Sequence, residues 1–141
     1  MHATPFLMFQ GDAQDALMLW KRAFPDHLDV AALDHHEAGE FAGKIARARI
    51  TLGGTQWHVL DSDVPHTFTF TPSTSIFVDC DDEAQLRHAA KVLGDGGKVM
   101  MPLDAYEFSA LFTWLSDAHG VSWQLNLPFP DEGHQPFPDA T

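Results

Sequence analysis

Lys44-Ile45-Ala46-Arg47-Ala48-Arg49-Ile50-Thr51-Leu52-Gly53-Gly54-Thr55-Gln56-Trp57-His58-Val59-Leu60 is the stretch on which the fold reading turns. Its first half alternates, with Lys44, Ala46, Ala48 and Ile50 on one side and Ile45, Arg47, Arg49 and Thr51 on the other. That is the period of two expected of a strand with one buried face. Gly53-Gly54 interrupts it, and glycine adopts positive φ without steric cost, so the pair predicts a tight hairpin turn. Thr55 to Leu60 is then the returning strand.

The chain before the hairpin supplies a short apolar strand and an amphipathic helix. Phe6 to Phe9 is apolar, Gly11-Asp12 breaks it, and Asp12 is placed to cap the helix that follows. From Ala13 to Phe24, the residues Ala16, Leu17, Leu19, Trp20, Ala23 and Phe24 recur at helical spacing, and Pro25 closes the segment. His27 to His35 reads as a strand, and His36 to Phe41 as a turn or loop. After a connection from Asp61 to Thr71, the order begins again. Thr74 to Cys80 is strand-like, and Asp81-Asp82 opens a helix carrying Ala84, Leu86, Ala89, Ala90, Val92 and Leu93. Gly94, Gly96 and Gly97 stop it. Lys98 to Met101, Phe108 to Leu115 and Val121 to Leu127 read as three further strands.

Strand, helix and three strands therefore occur twice, over residues 4–70 and 73–127. Either half alone is too small to bury a stable core. Together they predict one α+β domain over residues 4–127, built of two βαβββ modules with the helices outside a curved mixed sheet that faces a cavity. Residues 128–141, with Pro128, Pro130, Pro136 and Pro138, read as a proline-rich tail.

Composition narrows the function. Eight basic residues stand against 20 acidic ones, for a formal charge of -12. A duplex-binding surface needs clustered Lys and Arg, and an anionic membrane surface needs the same, so neither partner is expected. Cys80 is the one cysteine, which excludes an intrachain disulfide and disfavours a thiolate metal site. The N-terminal residues lack the pattern of a signal peptide, no apolar run reaches membrane-span length, and a cytoplasmic location is expected. No dinucleotide fingerprint, zinc-protease helix or nucleophile elbow is present. Gly94-Asp95-Gly96-Gly97 follows a helix instead of opening one.

A few side chains remain as site candidates. The nine histidines are scattered over termini, strands, loops and one helix, a distribution that predicts no metal cluster. His58 shares a strand face with Gln56. Gln124 shares one with Ser122 and Asn126, opposite Trp123 and Leu125. If the polar faces line the cavity, His58 and Gln124 converge there, and a neutral imidazole is suited to act as a base or a hydrogen-bond partner. Phe108, Phe112 and Trp114 form an aromatic stripe beside them, and Phe68 and Phe70 form another. Cys80 reads as a small buried hydrophobe.

Several of these stretches resemble a known family. They are Pro5-Phe6-Leu7-Met8-Phe9-Gln10-Gly11-Asp12-Ala13, the helix ending at Phe24, the segment Ser75 to Asp82, Met101-Pro102-Leu103 with Tyr106 and Phe108, and Trp114 through Asp117-Ala118-His119-Gly120-Val121-Ser122-Trp123-Gln124-Leu125. They look like the PhnB-like proteins, many of which carry the label 3-demethylubiquinone-9 3-methyltransferase, in the glyoxalase/bleomycin-resistance/dioxygenase (vicinal oxygen chelate) superfamily. The resemblance implies paired βαβββ modules and a homodimer. Metal-binding relatives place ligands on the first and last strands of each module. The matching positions here are Pro5, Ser75, Gln124 and either His58 or Gln56. Proline cannot ligate through its side chain, and serine and glutamine are weak ligands, so a site without metal or other cofactor is expected. The leading expectation is a small-molecule binding protein with Gln56, His58, Ser75, Phe108, Phe112, Trp114 and Gln124 around the ligand. The alternatives are an enzyme of lyase, isomerase or dioxygenase type, metal-dependent or assisted by His58, the methyltransferase activity of the label, or a structural homodimer.

Overall fold

The computed structural model describes residues 1–130. Its elements are β1 (Phe6–Phe9), α1 (Ala13–Ala23), β2 (Leu28–His35), β3 (Ile45–Leu52), β4 (Thr55–Asp61), β5 (Ser75–Asp79), α2 (Glu83–Gly94), β6 (Lys98–Tyr106), β7 (Ser109–Ser116) and β8 (Ser122–Leu127). The βαβββ order is thus realised twice. The strands form two four-stranded sheets, ordered β1-β4-β3-β2 and β5-β8-β7-β6. Each is mixed, because β1 runs parallel to β4 and β5 parallel to β8, while the other neighbours are antiparallel. One expected sheet is therefore two, and β1 and β5 each leave one edge unpaired.

The hairpin forms as its glycines require, with φ of 56° at Gly53 and 82° at Gly54. The alternation in β3 slips once. Ile45 is buried together with Ala48, Ile50 and Leu52, whereas the sequence period sets Ile45 against them. The register against β2 is irregular there, with Arg47 facing Asp34 and Ile45 facing His35. The displaced residue lets Ile45 turn inward.

α1 is wedged between the two halves. Ala16, Leu17, Leu19, Trp20 and Ala23 are buried, a stripe wide enough to meet both the first sheet and α2. Trp20 packs on Trp57 of β4 (6.1 Å between ring centroids) and on Trp123 of β8 (5.4 Å), and Phe24 also packs on Trp123. The indoles thus make one core from both modules. Each such aromatic contributes about 1.5–3 kcal/mol by burial.

A buried carboxylate ties this core together. Asp117, 3% exposed, follows β7. Its Oδ2 accepts from Trp20 Nε1 (2.8 Å) and Trp123 Nε1 (2.9 Å), and its Oδ1 from the backbone N–H of His119 (2.9 Å) and Val121 (3.1 Å). Two indoles from different modules therefore share one oxygen. His119 reaches back to pair with Asp12 (Nδ1 to Oδ2, 2.7 Å) at the start of α1.

That pair revises the expected cap. The side chain of Asp12 makes no capping bond to α1. The cap comes from buried Asp61 at the end of β4, whose Oδ1 accepts from Gly11 N (2.8 Å) and Ala13 N (3.0 Å). α2 follows the local rule, with Asp82 accepting from Gln85 N at 2.8 Å.

Two boundaries in the second half also move. β6 continues past Met101 to Tyr106, although Pro102 lacks an N–H. It is an edge strand with register shifts after Val99, Met101 and Asp104, and an edge position tolerates proline. Phe108 sits in the β6–β7 turn and not on β7, so it joins Phe112 across the turn and not along a strand. Phe68 and Phe70 lie in the connection after β4, within the stretch from Asp61 to Thr71 read as a connection. Most of the proline-rich tail, residues 131–141, lies outside the described residues.

Candidate functional site

Strand alternation sorts the candidate side chains. In β4, Trp57, Val59 and Asp61 are buried toward the core, so Gln56 and His58 project from the face away from the helices. Gln56 lies opposite Thr51, and His58 opposite Arg49 on β3 and Phe6 on β1. The His58 imidazole meets the Phe6 ring edge-on at 5.7 Å. Among the described residues the carboxylate–imidazole pairs are His27–Asp81 and His119–Asp12, so His58 has no acid to orient it.

The second sheet presents the corresponding face. Gln124 lies between Phe77 of β5 and Trp114 of β7, and Phe112 lies opposite Asn126. Phe112 touches Phe77, Tyr106 and Phe108, which gives an aromatic cluster around the β6–β7 turn. Trp114 Nε1 donates to Ser122 Oγ (2.8 Å), and Ser122 Oγ lies 2.6 Å from Ser75 Oγ. Gln56 and His58 share one face, and Ser75, Phe112, Trp114 and Gln124 share the other.

A cavity of about 720 Å³ opens where the free edges of β1 and β5 approach each other. Phe6 and Leu7 form one wall, Ile76 and Phe77 the other, and Phe70 and Trp57 also line it. Ser75 is the expected site residue that lines it. His58 and Gln124 stand one strand away, beside Phe6 and Phe77, and Gln56, Phe108, Phe112 and Trp114 also lie outside its lining. Trp57 and Phe77 were not among the expected site residues. Trp57 alternates out of register with His58 and so reads as core, and Phe77 sits between Ile76 and Val78 in an apolar run.

The donor chemistry does not fit a transition metal. Pro5, Ser75, Gln124 and His58 or Gln56 offer one good ligand among them. No group of three or more His, Cys, Asp or Glu side chains suited to a metal ion occurs among the described residues. Cys80 is 4% exposed, and burial, with Asp81, Asp79 and Asp82 nearby, pushes its thiol up to about 12. It is protonated at neutral pH and a poor nucleophile. A nucleotide-type methyl donor is no better served. Neither sheet is doubly wound and parallel, and Asp61 already takes the amides of Gly11 and Ala13 where the chain enters α1.

The family model described as 3-demethylubiquinone-9 3-methyltransferase matches residues 1–126. The chain belongs to that family. The match carries with it the PhnB-like branch of the glyoxalase/bleomycin-resistance (vicinal oxygen chelate) superfamily, as the residues quoted above suggested. Solved structures agree. The PhnB protein of Bacillus cereus is 36% identical with a TM-score of 0.82, over 90% of this chain and 99% of that one. The protein PA1353 of Pseudomonas aeruginosa is 26% identical with a TM-score of 0.77, over 91% and 98%. TioX of Micromonospora sp. ML1, at 17% identity and a TM-score of 0.57 over 94% and 100%, shares the fold. None of the curated proteins matches. In this PhnB-like family member, no described helix is long and apolar enough to cross a membrane.

Proposed function

We propose that this chain is a small-molecule binding protein whose ligand enters the cavity between β1 and β5. The observation that carries the reading is the cavity itself. It has about 720 Å³ of space, apolar walls from Leu7, Phe70, Ile76 and Phe77, and a few hydroxyls at Ser75 and Ser122. Concave, largely apolar sites with a few placed polar groups suit such ligands. His58 and Gln56 on one side, and Gln124, Trp114, Phe112 and Phe108 on the other, extend the site along the two open sheet faces. One domain spans residues 4–127.

A homodimer belongs to the same reading. Phe6, Phe77 and Phe108 are 50%, 53% and 52% exposed in the single chain, all on or beside the faces that carry the candidate residues. A second copy covering those faces would bury the aromatics and close the site. Binding is favoured over catalysis because, among the described residues, His58 has no orienting carboxylate and no cluster of metal-ligating side chains stands beside it.

The test is a thermal-shift screen of small neutral aromatic compounds on the wild type and on Thr74→Trp. Thr74 is exposed at the cavity mouth, so the larger side chain blocks the space without disturbing the core. Compounds that stabilise the wild type should not stabilise the variant. Equal stabilisation of both would remove the cavity from the account.

A further inference from the structure

The cavity between β1 and β5 is lined by charge of one sign. Asp79 is the one ionisable side chain of the lining, and among the described residues no Lys, Arg or His joins it. The strand sets where Asp79 points. Ile76 and Val78 pack against the core, so Ser75, Phe77 and Asp79 project from the other face of β5, where Asp79 is exposed. An ordinary rim carboxylate swings freely in water, but this one is tethered. Its Oδ1 accepts from Asn126 Nδ2 at 2.8 Å, and the buried Asn126 accepts in turn from the buried Ser109 hydroxyl. Among the described residues, Asp79 Oδ2 takes no hydrogen bond and the ion pairs leave Asp79 without a cation. Phe6, Phe70 and Phe77 line the same space, and the rings of Phe6 and Phe77 are half exposed.

Resting on the cavity reading above, we propose that the site selects an organic cation, an aromatic or apolar body bearing an amine or quaternary ammonium group. Asp79 supplies the opposite charge. The phenylalanine walls take the apolar body, and their ring faces attract an alkylammonium group through the aromatic quadrupole. An amine N–H has Asp79 Oδ2 as a charged acceptor. An anion meets Asp79 with no cation in the lining to compensate. The formal charge of -12 draws cations toward the whole protein, so it speeds encounter without choosing the site.

Equilibrium dialysis with three substituted fluorenones tests this: one bearing a trimethylammonium group, its neutral tert-butyl isostere, and a carboxylate. The wild type should bind the cation about 3- to 10-fold more tightly than the isostere, and the carboxylate more weakly than either. Asp79→Asn keeps the shape and the Asn126 contact and removes the charge. The cation-to-isostere ratio should then fall about 2- to 5-fold, the effect of one exposed ion pair. Asp95→Asn removes an equal charge from an exposed position outside the lining and should leave the ratio unchanged. On binding to wild-type protein, the N-methyl proton resonance should move upfield as the ammonium group meets the ring faces, a readout independent of any variant. A wild-type ratio near one, equal falls in both Asn variants, or an N-methyl resonance that does not move overturns the cation preference. Carboxylate binding as tight as the cation's does the same. If the ratio is near one but Thr74→Trp abolishes binding of the isostere, the cavity reading stands without the preference. If no probe binds the wild type, both fall together.

Discussion

Replacing Asp117 with alanine should cost this protein a large part of its stability. The carboxylate is 3% exposed and receives four N–H groups, two indoles on Oδ2 and two backbone amides on Oδ1. Hydrogen bonds to a charged group are worth roughly 1.5–3 kcal/mol each, and they do not add fully. Truncation also strands two indole donors in the core. We expect a loss of about 4 kcal/mol from a total that for such domains is roughly 5–15 kcal/mol. At this chain length that corresponds to a fall in Tm of roughly 12–20 °C. Asp117→Asn is not conservative either. Its amide nitrogen must face one of the two donor pairs, so it should lose about 2–3 kcal/mol. Urea unfolding followed by tryptophan fluorescence reads both values from the midpoint and slope. A cycle with Trp20→Phe sharpens the assignment, because removing one donor should cost about 1–2 kcal/mol less in the Asn background than in the wild type. An Asp117→Ala loss below about 1 kcal/mol would refute the reasoning, since a buried four-donor acceptor cannot be so cheap to remove.

The cap of α1 gives a paired prediction: Asp61→Ala should destabilise by about 2 kcal/mol, while Asp12→Ala, whose partner is His119, should cost under about 1 kcal/mol by thermal unfolding. Cys80 should react with iodoacetamide at pH 8 about a thousandfold more slowly in the native protein than in urea, since its thiol sits near 12 instead of at its ordinary 9.0. A raised thiol pKa favours the protonated folded state, so the contribution of Cys80 to stability is full below pH 9.0 and is lost as pH rises toward 12. Thermal unfolding of the wild type should therefore weaken over that window more than that of Cys80→Ala. Light scattering should give a dimer mass for the wild type and a monomer mass for the Phe77→Asp, Phe108→Asp double variant, which puts charges on the exposed sheet faces.

The fold was legible because its signals are local. The alternation around Gly53-Gly54, the stripe from Ala16 to Trp20 and the acidic start of α2 each depend on neighbours a few residues apart. What the sequence could not show depends on distance. Asp12 looks like the cap of α1, but Asp61, nearly 50 residues on, takes the bonds. Nothing local marks Asp117 as the acceptor for Trp20, 97 positions away. β6 looked short because Pro102 breaks pattern rules that an edge strand is free to ignore. The site was partly legible for the same reason. Alternation set His58 with Gln56 and Gln124 with Ser122, as the strands have them. It could not say that the gap between β1 and β5 would be lined by Trp57 and Phe77, because that gap lies between strands of two different modules, far apart in the chain.

The most direct test of the binding account is to map a bound probe on the backbone. With fluorenone added to wild-type protein, the amide resonances of Phe6 and Leu7 on β1 and of Ser75 to Val78 on β5 should shift together and saturate with a single affinity. Shifts confined to other elements, or none up to the solubility limit of the probe, would contradict a ligand site between the two strand edges.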